Sequence, residues 1–181
     1  MTEDVHDEPD SALIARWLRG DERAASMLVA KHADPLARFI ASQGARSGIE
    51  ELVQDTLVRA FGSLESFRGE SSFRTWLFTI ARRLVLDSRR AFKRQRRLTE
   101  VKDGDAVSTY NALDSIVAGE AEGKMHEAIA RLSPTQREVF TLRVNDGLSY
   151  KEIAEVAGTT EGAARVHYHN ALRQVKERMH V

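Results

Sequence analysis

Apolar residues recur at spacings of three and four along most of the chain, and no stretch alternates apolar with polar residues for long. That period predicts an all-α protein. A first helix from about Ser11 to Arg19 presents Leu13, Ile14, Trp17 and Leu18 and stops at Gly20. Asp21 is placed to cap the next helix, in which Ala24, Ala25, Leu28 and Val29 lead to the region of Pro35. Leu36, Phe39 and Ile40 continue the apolar face up to Gly44. Ser47 and Glu50 then fit a capping box, in which hydroxyl and carboxylate each satisfy an orphan amide. The helix that follows carries Ile49, Leu52, Val53, Leu57, Ala60 and Phe61, with Glu51, Gln54 and Asp55 on its other face.

After the loop Phe67-Arg68-Gly69-Glu70-Ser71, a long helix begins near Ser72. Phe73, Trp76, Leu77, Ile80, Ala81, Leu84 and Val85 line one side, and basic residues fall largely between them. A Gly- and Ser-containing acidic stretch from Asp103 to about Gly123 reads as a linker. Beyond it, Ser133-Pro134-Thr135-Gln136 and Ser149 with Glu152 open two helices, each with a capping box. Gly158-Thr159-Thr160 turns the chain into a last helix from about Glu161 to Met179. The expected organisation is an N-terminal tail (1–10), a helical domain (11–97), an acidic linker (98–123) and a second helical domain (124–181).

A short capped helix, a turn opening with Gly and a second helix with an apolar stripe is the layout of a helix-turn-helix. Ile153 and Ala154 are expected to pack on Ala164, Tyr168, Leu172 and Val175. At about 100° per residue, a core centred on Tyr168 puts Val166, Asn170 and Arg173 roughly opposite, with His167 and His169 flanking. Those two histidines stand two apart, about 200° around the helix, and so do not converge on a metal.

Charge changes the picture once it is divided by segment. The 181 residues hold 27 Lys+Arg and 27 Asp+Glu, a formal net charge of zero. Residues 1–10 carry −5, 82–102 carry +7, 103–122 carry −5, and the segments 11–81 and 123–181 are close to neutral at +1 and +2. The +7 block, which includes Arg82, Arg83, Arg89 and Arg90, is either a solvated helix face or tail or a patch sized for a polyanion partner. Beside it, Phe73, Trp76 and Phe78 are either core or a platform on which unpaired bases stack. There is no cysteine, which excludes disulfides, thiolate metal sites and a thiol nucleophile. The sequence also shows no membrane span and no export signal, so a cytoplasmic location is expected.

The stretches ELVQDTLVRAF (51–61), FRGESSFRTWLFTIAR (67–82) and LSPTQREVF (132–140), followed by LSYKEIA (148–154), resemble bacterial RNA polymerase sigma factors of the extracytoplasmic-function group. The resemblance runs in order from about Ala12 to Met179. It implies that Glu51, Gln54, Asp55 and Val58 dock on core RNA polymerase. It implies that Phe67, Arg68, Gly69, Glu70, Ser71 and Ser72 capture a flipped base of the −10 element, while Trp76, Arg82, Arg83, Arg89 and Arg90 hold the opened strand. Thr160, Arg165, Val166, His167, His169, Asn170 and Arg173 would read the −35 element of promoter DNA. The linker would thread toward the RNA exit path, where its negative charge stands in for RNA. The resemblance further implies an anti-sigma partner and no catalytic residue, cofactor, metal or small-molecule substrate.

Two departures bear on specificity. Arg83 stands near a position where many relatives carry Asn, and His167 and Asn170 replace common basic residues. Asn170 can bond adenine in a bidentate way, and Val166 can touch a thymine methyl. The alternative is a stand-alone helix-turn-helix regulator, since SPTQREV and YKEIA also resemble the output domain of response regulators. Residues 1–97 show none of the buried strands of a receiver domain. A nuclease is disfavoured because no carboxylate or His cluster converges.

Overall fold

The computed structural model describes residues 8–45, 48–99 and 120–179, all of whose regular structure is helical. Helices α1 (Asp10–Leu18), α2 (Glu22–Ser42), α3 (Ile49–Gly62) and α4 (Phe73–Thr99) are followed by α5 (Glu120–Ala130), α6 (Pro134–Val144), α7 (Tyr150–Ala157) and α8 (Glu161–Met179). A 3₁₀ turn at Leu64–Ser66, which the periodicity does not announce, joins α3 to the loop before α4. Helix α5 starts four residues ahead of the expected Lys124, while most of the acidic stretch lies outside the described residues. The chain divides into two compact units, Met1–Leu86 and Asp87–Val181, the division falling within α4.

In the first unit, Leu13 and Ile14 of α1, Ala24 and Leu28 of α2, Ala60 of α3, Leu64, and Phe73 and Leu77 of α4 form one core. Farther along α2, Phe39 stacks on Phe78 with centroids 4.5 Å apart and planes 4° from parallel. Pro35 lies inside α2, which runs on to Ser42. A proline there removes one backbone bond and costs about 3 kcal/mol. Leu36, Phe39 and Ile40 beyond it are all at most 1% exposed. Burying each stabilises by about 1.5–3 kcal/mol, so packing outweighs the break.

Asp21 caps α2 as expected, accepting from the Arg23 amide at 3.0 Å. The same carboxylate accepts two bonds from Arg16, at 2.9 and 2.8 Å. The Arg16 bonds come first in holding the Asp21 carboxyl below its ordinary range, against an opposing effect of desolvation. The capping box expected of Ser47 and Glu50 rests on a residue outside the described ones, Ser47. Among the described residues, Gly48 occupies the cap position with φ +70°, a left-handed conformation suited to Gly.

The acidic N-terminal segment is not wholly a solvated tail. Glu8 pairs with Arg16, and Asp10, the first residue of α1, reaches Lys31 at 2.8 Å and the buried His32 at 2.9 Å. These contacts seat the start of α1 on α2.

In the second unit, Ala128 and Leu132 pack with Phe140 of α6 and with Ala171 and Val175 of α8. Both predicted capping boxes form: Ser133 with Gln136 at α6, and Ser149 with Glu152 at α7. Gly158 ends α7 with φ +64°, and α8 follows. The face that α7 buries is Ile153, Val156 and Ala157; Ala154, expected there, is only half-buried. On α8 the buried line is Ala164, Ala171 and Val175, with Tyr168 half-buried at its margin rather than at its centre. Small alanines let the helices approach closely, which displaces the bulky ring to the edge.

Candidate nucleic-acid interface

The expected functional residues fall into three groups, and the structure treats each differently. Glu51, Gln54, Asp55 and Val58 are all exposed on one stripe of α3, because steps of three and four return to the same face. The opposite side is pinned by Thr56 and Ala60, each 0% exposed. Val58 is 71% exposed, an apolar side chain at the end of an acidic row. Such a stripe offers both charge and desolvation energy to a partner.

The second group centres on the loop before α4. Gly69 has φ +69°, a backbone state that favours Gly, and its flanks Arg68 and Glu70 are highly exposed with their charged ends 4.0 Å apart. Ser72 caps α4: its hydroxyl accepts from the Thr75 amide at 3.1 Å, and its carbonyl from the Trp76 amide at 3.0 Å. The aromatics divide into two roles. Phe73 and Phe78 are core, 3% and 1% exposed. Phe67 and Trp76 remain half-buried, with centroids 5.2 Å apart, and both contact Phe73 at 5.8 Å. A fixed ring thus supports two that retain accessible surface. Along α4, Arg82 is half-buried, whereas Arg83, Arg89 and Arg90 are exposed. Every residue from Asp87 to Gln95 is exposed, so the basic block stands out in solvent. Phe92, 65% exposed among those cations, is an apolar member of the ridge that the sequence reading did not single out.

The third group lies on α8. Thr160 caps the helix, its hydroxyl accepting from the Ala163 amide at 3.2 Å. Val166 (57% exposed) and Arg173 lie away from the buried line, as expected. His169 is exposed with its ring 5.6 Å from Tyr168, and His167 is half-buried. Asn170 is half-buried and accepts a bond from Arg173 at 3.3 Å. Arg165 donates to Glu161 at 3.1 Å and lies over the ring of Tyr150. Arg143 lies over the same ring. Neither Tyr150 nor Arg143 was assigned a role from sequence, because their meeting depends on three separate helices.

Comparison with known proteins agrees with this geometry. The family described as Sigma-70 region 2 matches residues 28–97, and that described as Sigma-70, region 4 matches residues 122–175. An ECF RNA polymerase sigma-E factor of Haemophilus influenzae is 28% identical over 179 residues, covering 94% of this chain and 95% of the relative. The sigma-E factor of Salmonella typhimurium is 30% identical over 168 residues, covering 86% of each. Among solved structures, the sigma factor RpoE with the anti-sigma factor NepR from Bartonella quintana is similar with a TM-score of 0.70 and 25% identity. That match covers 86% of this chain and 96% of the other. CnrH in complex with the cytosolic domain of CnrY is similar with a TM-score of 0.67 and 28% identity, covering 94% and 96%. A region-2 match over α2 to α4 leaves no place for a receiver domain, so the stand-alone regulator is not favoured. With both regions matched in order and relatives covered over most of their length, the chain belongs to the sigma-70 family of RNA polymerase sigma factors, in its extracytoplasmic-function group.

Proposed function

We propose that the stripe Glu51, Gln54, Asp55 and Val58 is the surface by which this sigma factor docks on core RNA polymerase. The 67–72 loop with Trp76 captures the −10 element, and Arg82, Arg83, Arg89 and Arg90 hold the opened strand. The outward face of α8 (Arg165, Val166, His167, His169, Asn170 and Arg173), with Thr160 at its start, meets the −35 element. Residues 11–97 and 124–181 act as the two DNA-reading domains, joined by the acidic segment 98–123. The chain contributes no enzymatic step of its own and acts in the cytoplasm; no described helix is long and apolar enough to cross a membrane.

The observation that carries this reading is the division of the aromatics at the start of α4. Phe73 is buried while Phe67 and Trp76 keep accessible surface, and Trp76 shares α4 with Arg82 and Arg83. Flat rings next to cations suit an unpaired base and its phosphate. An anti-sigma partner, which would cover the polymerase-facing stripe, is supported by the similar sigma factor RpoE, solved in complex with the anti-sigma factor NepR. Purified protein added to core polymerase should give promoter-dependent transcripts from genomic fragments that include its own upstream region. A complete lack of such transcripts would overturn the proposal.

A further inference from the structure

His32 stands on the apolar face of α2, 5% exposed, with the buried Leu28 and Leu36 one turn to either side. An apolar side chain would fill that position without polar cost, whereas a buried imidazole must satisfy its N–H. One specific contact does so: Nε2 lies 2.9 Å from Oδ2 of Asp10 at the start of α1. Oδ1 of the same carboxylate pairs with Nζ of Lys31 at 2.8 Å. An ion-paired carboxylate only accepts, so Nε2 carries the hydrogen and donates it. The plane of the imidazole is therefore set by Asp10.

Held in that plane, the ring meets Phe73 edge-on, with centroids 5.2 Å and planes 76° apart. Phe73, 3% exposed, touches Phe67 at 5.8 Å and 77° and Trp76 at 5.8 Å and 36°. Phe67 and Trp76 lie 5.2 Å from each other. Four rings thus form one contiguous set, buried at His32 and accessible at Phe67 and Trp76. The terminal torsion of an aromatic side chain is broad, so neighbours decide its tilt. Edge-on pairs have a preferred geometry, and a pinned ring passes its orientation to the next. A base that stacks on rings already oriented costs less ordering entropy on binding.

We propose that His32 is a positioning residue for capture of the −10 element: tied to Asp10, its ring braces Phe73 and through it sets the tilt of Phe67 and Trp76. This rests on the reading of the 67–72 loop and Trp76 as the −10 site. It extends the support of that site to α2 and to the start of α1.

The test uses the full chain, alone and assembled with core polymerase on a duplex promoter fragment whose start site has been mapped by sequencing transcripts after overexpression. His32→Gln keeps a donor for Asp10 and removes the ring, whereas His32→Phe keeps a ring and removes the donor. Ile40→Ala, at a residue 0% exposed elsewhere on α2, controls for lost stability. The chain has two tryptophans, so Trp17→Phe leaves Trp76 as the single reporter. In that background His32→Gln should raise acrylamide quenching of Trp76 well above that of Ile40→Ala. With polymerase, His32→Gln should slow promoter opening about fivefold, with His32→Phe between it and the wild type and core affinity within about twofold throughout. Adding His32→Gln to Trp76→Ala should cost little further opening.

Three results would each overturn the inference: wild-type opening in His32→Gln while Trp76→Ala is impaired, a loss no greater than that of Ile40→Ala, or full additivity with Trp76→Ala. If His32→Gln does not fold, Asp10→Ala, which leaves the ring untied, takes its place, and unchanged quenching of Trp76 there would be decisive against it. Wild-type opening in Trp76→Ala would instead remove the −10 reading on which the inference rests.

Discussion

Nε2 of His32 in α2 lies 2.9 Å from Oδ2 of Asp10 at the start of α1, and the same imidazole meets Phe73 edge-on at 5.2 Å. An acidic residue from the N-terminal segment is thereby linked to the ring that supports Phe67 and Trp76. Burial pushes the Asp10 carboxyl upward, but hydrogen bonds from His32 and Lys31, with their charges, outweigh it and leave the value lowered from the ordinary 3.8.

A lowered carboxyl favours the folded state only while it is ionised. Its contribution is complete above the ordinary value and is lost as pH falls through the lowered one. Asp10→Asn should cost about 1–3 kcal/mol at neutral pH, since it leaves a buried His32 poorly satisfied. The gap from the wild type should narrow below about pH 4. Both tryptophans, Trp17 and Trp76, belong to the first unit, so urea unfolding followed by tryptophan fluorescence reads this directly. A pH-independent gap would remove the ion pair from the explanation.

Charge reversal on the α3 stripe should act without unfolding. Glu51 and Asp55 are exposed, and Thr56 and Ala60 hold the other side of the helix. The double variant Glu51→Lys, Asp55→Lys should weaken binding to core polymerase by about tenfold at moderate salt, with stability changed by less than about 0.5 kcal/mol. Titration with labelled core polymerase measures the first, and a urea melt the second. Equal affinity would take the stripe out of the docking surface.

Truncating Trp76 removes one of the two accessible rings at the start of α4. Trp76→Ala should reduce promoter opening, read by permanganate reactivity of unpaired thymines, about tenfold more than it reduces core binding. Because Trp76 also packs on Phe67 and Phe73, a stability loss of about 2 kcal/mol is expected beside it. Parallel loss of opening and of core binding would count against a role on DNA.

Gly158 holds the turn between α7 and α8 at φ +64°. Gly158→Ala should destabilise the second unit by about 1–2 kcal/mol, since a Cβ is strained in that conformation. Hydrogen exchange of the α7 and α8 amides would show the loss confined to this unit. No change in their protection would mean that the turn relaxes at little cost.

The helices were legible in the sequence wherever their signals are local. The capping boxes at Ser133 and Ser149, the Asp21 cap and the Gly158 turn each act within a few residues, so spacing alone located α2, α6, α7 and α8. The acidic row on α3 was legible for the same reason: helical period places Glu51, Gln54, Asp55 and Val58 together without reference to any other element. Pro35 interrupts the backbone ladder but not α2, because Leu36, Phe39 and Ile40 are packed beyond it.

By itself, then, the sequence determined the all-α class, the order of the helices, the faces they carry and the family. The tertiary structure alone decided which of the faces' residues are buried and which stay accessible. It buried Phe73 and left Phe67 and Trp76 accessible, joined Asp10 to His32 across 22 positions, and brought Arg143, Tyr150 and Arg165 from three helices to one ring. The reason is physical: a helix's caps and period depend on neighbours within about a turn, whereas side-chain pairings depend on how closely separate helices pack. Small residues such as Ala164 and Ala171 set that distance on α8, which is why Tyr168 sits at the margin of the core it was expected to centre.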